Sequence, residues 1–85
     1  MKLKENFITH EMDGEQIMVA AGGGFAGMVR SNATAAFIVD CLKKGAAREA
    51  ILNAMCQKYD APREVMAADV DMVLNKLRTI GALDE

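Results

Sequence analysis

Residues 25–42, FAGMVRSNATAAFIVDCL, decide the fold of this chain, because the residue pattern changes its period at Asn32. Before Asn32 the side chains alternate in a way that suits a short strand. After it, only Thr34 and Asp40 are polar as far as Leu42, so most of the circumference of the predicted helix needs cover from other elements. Asn32 is itself a favoured residue for capping a helix N-terminus. The stretch therefore predicts a strand that leads directly into the central helix of the core.

Upstream of this stretch the sequence predicts two further strands. Residues 7–12 (FITHEM) are rich in strand-forming side chains, and the Asp-Gly dipeptide at 13–14 is a strong hairpin signal because both residues tolerate positive φ. A second strand is expected over residues 15–21. The glycine triplet at 22–24 then lets the chain return as a third strand over residues 27–31. The expected sheet is a three-stranded antiparallel meander.

Three helices are predicted downstream, over residues 33–44, 47–59 and 62–80. Gly45 and Gly81 favour the left-handed conformation that ends the first and third of them. The last two helices are joined by only a few residues, which favours a helix-turn-helix crossing. The predicted fold class is α+β, with a three-stranded antiparallel sheet followed by three helices in a winged helix-turn-helix-like arrangement.

Size and composition indicate one domain, residues 1–85, of ordinary globular type. The formal net charge of −2 gives no general attraction to nucleic acid or to anionic lipid. No apolar run is long enough to span a bilayer and no signal-peptide pattern opens the chain, so we expect a cytoplasmic location without a membrane partner. Cys41 and Cys56 lack metal-ligand spacing, and we expect both to be reduced residues of the core.

The polar residues do not assemble into a predicted catalytic site. His10 is the single histidine, and no second titrating group is placed to support it. Ser31 and Thr34 lack a histidine that would activate a hydroxyl, so capping and packing explain them better. Asp69 and Asp71 are two residues apart on a predicted helix and point in different directions. We therefore expect no enzymatic activity, no bound metal and no cofactor.

Residues that cap helices, fill cores or make turns occur along the chain in a recognisable order. They are Gly27, the run Asn32-x-Thr34-Ala35-Ala36-x-Ile38, Gly45, Ile51, Tyr59-Asp60, Asp69-Val70, Leu74, Leu77 and Gly81-x-Leu83. In order and spacing they resemble the pyrroloquinoline quinone biosynthesis protein D (PqqD) family over nearly the whole chain. Two positions depart from that pattern, since Ser31 stands where the family tends to place a leucine and Ala46-Ala47 replaces the usual capped start of the second helix.

The resemblance implies a non-catalytic module that recognises the leader segment of a ribosomally synthesised peptide. In the family the leader adds to the third strand as another antiparallel strand, lies in the groove between that strand and the third helix, and is presented to a modifying enzyme. That enzyme is often a radical SAM enzyme, and its iron–sulfur clusters belong to the partner. Carried over by position, the peptide-binding residues would be Gly27, Met28, Val29, Arg30, Ser31, Met66, Asp69, Val70, Val73, Lys76 and Leu77.

Within the third helix, four of these residues have the spacing of one coherent face, with the two charged residues at its flanks as partners for charges on the peptide. The four are Met66, Val70, Val73 and Leu77, and the two are Asp69 and Lys76. The alternative for each apolar residue is a place in the core. For Arg30 the alternative is a solvated residue at the sheet edge.

Two other functions fit the same predicted layout. A winged helix could bind DNA, but residues 63–80 carry three basic and three acidic side chains, whereas neutralising phosphates normally needs a basic excess. The basic residues are Arg63, Lys76 and Arg78, and the acidic ones are Glu64, Asp69 and Asp71. A self-associating scaffold, a homodimer for example, would pair the open sheet edge with that of another copy.

Overall fold

The computed structural model describes the backbone of residues 1–20 and 28–85, and the side chains of residues 1–20 and 31–85. The predicted glycine turn at 22–24 and the predicted binding residue Gly27 lie outside the described residues. In chain order the described elements are the strands β1 (Lys2–Leu3), β2 (Phe7–Met12), β3 (Glu15–Ala20) and β4 (Met28–Ser31), the helices α1 (Ala33–Lys44), α2 (Arg48–Lys58) and α3 (Arg63–Thr79), and the strand β5 (Leu83–Asp84).

The sheet that follows the predicted meander consists of β2, β3 and β4, in that order and all antiparallel. The predicted third strand is β4. A second sheet, which the sequence did not indicate, pairs β1 with β5 and so joins the N-terminal segment to the residues after α3. Each of its strands has two residues, too few for an alternating pattern to be visible in the sequence. The α+β class and the three helices are confirmed.

The turn between β2 and β3 fixes the register of the sheet. Asp13 and Gly14 both have positive φ, 53° and 79°, as a type I′ turn requires. Met12 and Glu15 flank this turn and pair with each other. Because the loop has only two residues, every later pairing along β2 and β3 follows from it.

Helix α1 is the centre of the core, as its composition predicts. The Asn32 side chain caps it by accepting a hydrogen bond from the Ala35 N–H at 2.9 Å. Ile38, Val39 and Leu42 are buried. Around them pack buried residues of the sheets and the other helices, which include Leu3, Phe7, Met18, Ile51, Leu52, Met55, Met66, Val70, Leu74, Leu77, Ala82 and Leu83. None of the described helices is both long enough and apolar enough to cross a membrane.

Two ion pairs join α2 to α3 at the surface. Arg48 on α2 donates to both carboxylate oxygens of Asp71 on α3, at 2.6 and 3.0 Å. Arg63 donates to Glu49 at 2.6 Å. Helix α2 has no side-chain cap at Ala47, in keeping with the departure from the family pattern noted at that position. These pairs link the N-terminal part of α2 to α3 at the surface, where Glu49 also lies in the first turn of a helix that has no side-chain cap.

Candidate functional site

A cleft of about 240 Å³ lies between α1 and α3, at the end of β4 where the strand leads into α1. Its lining combines residues from the strand end, two turns of α1 and two turns of α3. They are Ser31, Asn32, Thr34, Ala35, Ile38, Val39, Asp69, Met72, Val73, Lys76 and Leu77. Most of these are apolar or small, and the charged residues Asp69 and Lys76 both come from α3. The cleft therefore combines an apolar interior with polar residues at the strand end and two opposite charges on α3.

The α3 wall of the cleft is one helical stripe with a charged residue at each end. Asp69, Met72, Val73 and Lys76 are spaced by three and four residues, which brings them to one face. Met72 is 63% exposed, unusually high for a large apolar side chain. Asp69 and Lys76 are seven residues apart, which corresponds to about 10 Å along a helix axis. The wall therefore presents an apolar middle between an acidic and a basic end.

The structure places some of the peptide-binding residues predicted on α3 at the cleft and others in the core. Asp69, Val73, Lys76 and Leu77 line the cleft, together with Ser31 from β4. The remaining two predicted residues of α3, Met66 and Val70, are 3% and 0% exposed, belong to the core cluster and do not line the cleft. For these two residues the structure favours the core alternative.

The sequence prediction also missed residues that the cleft contains. Met72 was not assigned, although its spacing from Asp69, Val73 and Lys76 is visible in the sequence. For the α1 wall the sequence predicts a capping or packing role for Thr34 and core positions for Ala35, Ile38 and Val39, but no place in a cleft. No signal in the sequence distinguishes this face of α1 from the others, because α1 is apolar on nearly every side. Only the packing of α3 against α1 determines which of its residues reach the cleft.

The edge of the sheet next to the cleft is β4, which pairs on only one side within the described residues. The direction of its backbone groups follows from the hairpin turn. In a two-residue hairpin the flanking residues, here Met12 and Glu15, exchange both backbone hydrogen bonds, and such pairs alternate along the ladder. The N–H of Phe7, whose opposite residue is Ala20, donates to the Lys4 carbonyl at 3.1 Å, as expected for a position whose backbone points away from β3.

The same alternation carries across β3 to β4. Since Glu15, Ile17 and Val19 direct their backbone groups to β2, Gln16 and Met18 direct theirs to β4. Their partners there are Ser31 and Val29. Arg30 lies between those two pairs and Met28 lies beyond them. The backbone N–H and C=O groups of both residues therefore point away from β3. Within the described part of the chain, this edge of β4 therefore offers two residues, each with one N–H and one C=O, to another strand.

The described residues contain no cluster of side chains that could hold a metal ion, since no three histidine, cysteine, aspartate or glutamate side chains among them lie close enough together. Burial, and then the neighbouring Asp40 carboxylate, raise the pKa of the Cys41 thiol, which disfavours the thiolate at neutral pH. Both cysteines are free and half-buried. What the site provides is a sheet edge, an apolar cleft and two opposite charges.

Solved structures with a similar fold include two recorded with leader peptides. One is described as "TbiB1 in Complex with the TbiA(beta) Leader Peptide", with a TM-score of 0.82 and 23% identity over 99% of this chain and 95% of that chain. The other is described as "Lasso peptide synthetase B1 complexed with the leader peptide", with a TM-score of 0.77 and 20% identity over 95% and 93% of the two chains. At these identities the likeness concerns the fold. No curated protein sequence matches this chain.

The sequence, unlike the fold alone, identifies the family of this chain. Residues 15–83 match the family described as coenzyme PQQ synthesis protein D (PqqD). The chain belongs to the PqqD family. The match runs from β3 to β5 and so includes β4 and both helices that line the cleft.

Proposed function

We propose that this protein is a non-catalytic peptide chaperone, a recognition element that captures the leader segment of a ribosomally synthesised peptide and presents it to a modifying enzyme. The observation that carries the proposal is the open edge of β4 directly beside the cleft between α1 and α3. Family membership and the leader peptides named with the two similar structures support it.

The binding mode that fits this geometry is addition of the leader to β4 as a further antiparallel strand. The backbone groups of Arg30 and Met28 would each exchange two hydrogen bonds with the leader, a contribution that tolerates many sequences. Selectivity would come from alternate leader side chains, which lie about 7 Å apart on one face of a strand. One such side chain would enter the apolar part of the cleft against Met72 and Val73, while Asp69 and Lys76 would face leader residues of opposite charge.

The modifying enzyme is proposed by analogy with the family rather than from the geometry. It would be a radical SAM enzyme whose iron–sulfur clusters remain in that partner, so this chain would itself hold no cofactor. A cytoplasmic location follows from the same proposal, because leader recognition accompanies synthesis of the precursor. The winged helix-like arrangement of α2, α3 and the sheet is likewise carried over from the family.

DNA binding is the less favoured function. Of the three basic residues of α3, Arg63 is held by Glu49 at 2.6 Å and Arg78 is held by both carboxylate oxygens of Glu85 at 2.9 and 3.0 Å. Lys76 remains, and it shares the cleft with Asp69. A helix that neutralises phosphates needs several unengaged cations. A salt-sensitive mobility shift of duplex DNA by this protein would contradict the proposal.

The direct test is titration of the isotopically labelled protein with leader peptides encoded by short genes adjacent to its own gene. Amide resonances of residues 28–31 and of α3 from Asp69 to Leu77 should shift on binding, whereas those of α2, which contributes no residue to the cleft lining, should not. Shifts confined to α2 would rule out the proposed placement. The mass of the protein in solution, measured with and without peptide, reports whether it forms a homodimer. A homodimer that pairs through the β4 edge should dissociate when the leader competes for the same backbone groups.

A further inference from the structure

Gln16 on β3 and Ser31 on β4 are the polar residues that the described part of the chain buries, at 4% and 6% exposure. They are paired directly across the two strands. Directly opposite residues lie on the same face of a sheet, with Cβ atoms about 5 Å apart. The two buried polar side chains are therefore immediate neighbours.

Each of them has hydrogen-bonding capacity that the described residues do not use. Gln16 Nε2 donates to Asp40 Oδ1 at 3.2 Å, but Gln16 Oε1 is buried and accepts from no donor among the residues that the structure describes. Ser31 makes no side-chain hydrogen bond within the described residues, and it lines the cleft. A buried polar atom without a partner is costly, and native proteins rarely keep one without a reason.

A hydrogen bond from Ser31 to Gln16 would satisfy the buried amide oxygen and would leave the Ser31 hydroxyl able to accept a further hydrogen bond from the cleft. A serine hydroxyl is one donor and an acceptor for two bonds. The two side chains are not hydrogen-bonded to each other in the structure, but a rotation of the Ser31 side chain that lets its hydroxyl donate to Gln16 Oε1 would leave the hydroxyl lone pairs to accept from a group in the cleft. The carboxylate of Asp69, on the opposite wall, is also an acceptor.

We propose that Ser31, oriented by Gln16, makes this cleft select a leader side chain that donates hydrogen bonds. This inference rests on the proposed function. The chemical class is a hydroxyl, amide, ammonium or guanidinium side chain, namely that of Ser, Thr, Asn, Gln, Lys or Arg. An aliphatic side chain at the same place would exclude water from the Ser31 hydroxyl and give it no hydrogen-bond partner. Binding of a leader with such a side chain is therefore disfavoured. Ser31 is thus a specificity-determining residue, and Gln16 is a positioning residue that acts through it.

The experiment is selection from a displayed library of random peptides, each long enough to cover β4 and the cleft, against four forms of the protein. The wild type is compared with Ser31→Ala, which removes only the hydroxyl, and with Ser31→Thr, which keeps it. The fourth form, Gln16→Met, keeps the side-chain length and removes the amide. Thermal melting is measured first for each form. If Ser31→Ala melts too early for selection, Ser31→Cys, similar in size and a weak hydrogen-bond former, replaces it.

Peptides bound by the wild type and by Ser31→Thr should show one position at which donor side chains exceed aliphatic ones by about tenfold. Ser31→Ala should lose that preference, and Gln16→Met should reduce it, while preferences at the other positions remain. An Asp69→Asn control identifies enrichment of Lys and Arg that depends on charge alone. An unchanged preference in Ser31→Ala overturns the inference but leaves leader binding intact. Failure of every form to select any peptide overturns the proposed function and the inference together.

Discussion

Replacing Arg30 with proline should weaken leader binding while leaving the fold largely intact. The register of the sheet directs the Arg30 N–H away from β3, so proline there removes a donor from the open edge and not from the existing ladder. At Val29 the situation is reversed, because its N–H is directed at Met18 within the sheet. The two adjacent substitutions therefore separate binding from stability.

The expected magnitudes follow from the number of hydrogen bonds affected. Arg30→Pro loses one bond to the leader and leaves the leader carbonyl without its partner, about 1–3 kcal/mol in total, or roughly 5- to 150-fold in Kd. Val29→Pro breaks a sheet bond at a cost of about 3 kcal/mol, which lowers Tm by about 12–24 °C for a domain of this size. Arg30→Ala, which keeps the N–H, controls for loss of the side chain.

The assay combines calorimetric titration of the leader with thermal melting of each variant. The result that refutes the reasoning is an Arg30→Pro protein that binds as tightly as Arg30→Ala. Equal losses of Tm in Arg30→Pro and Val29→Pro would show that the alternation derived from the hairpin turn does not extend to β4.

Three further outcomes are expected. Met72→Ala should weaken leader binding several-fold with an unchanged Tm, whereas Val65→Ala, at a residue 51% exposed on α3 that does not line the cleft, should leave Kd unchanged in the same titration. Leu74→Ala should cost about 2–5 kcal/mol of unfolding free energy in urea denaturation, because that side chain is 1% exposed in the core; a cost below about 1 kcal/mol would contradict its place there. The hydrogen bonds from Arg48 hold the pKa of Asp71 below its ordinary value, so this carboxylate stabilises the fold above the ordinary pKa and loses that contribution as the pH falls through the folded-state pKa. The Tm of the wild type should therefore drop more steeply than that of Asp71→Asn between about pH 5 and about pH 2; parallel curves would argue against a contribution from this pair.

The elements with strong local signals are those that the sequence predicts. Asn32 caps α1 and the Asp-Gly turn has the conformation that its residues favour, because both depend on chemistry within a few residues. The pairing of β1 with β5 depends on residues more than 75 positions apart, and Lys2 with Asp84 carries no mark of it in the sequence. Contacts of that kind are decided by the packing of the whole core.

The candidate site likewise combines features that the sequence predicts with features that only the packing of the core determines. The sequence identifies β4 and α3 as neighbours only through resemblance to a family, and it does not resolve which side of α3 faces the cleft. A stripe of Met66, Val70, Val73 and Leu77 and a stripe of Asp69, Met72, Val73 and Lys76 are both compatible with helical spacing. The structure decides between them, because Met66 and Val70 of the first stripe are core residues that do not line the cleft, whereas all four residues of the second stripe line it.

On α3 the residues that stabilise the core and the residues that line the cleft are largely different, and this bears on how such proteins diverge. Met66, Val70 and Leu74 stabilise the fold without lining the cleft, while Asp69, Met72 and Lys76 line it without being buried. Of the cleft-lining residues of α3, Leu77 is the one that is fully buried as well. Mutations in the lining stripe can therefore accumulate with little loss of stability, so that duplicated copies of such a gene can acquire new precursor peptides while their cores stay the same.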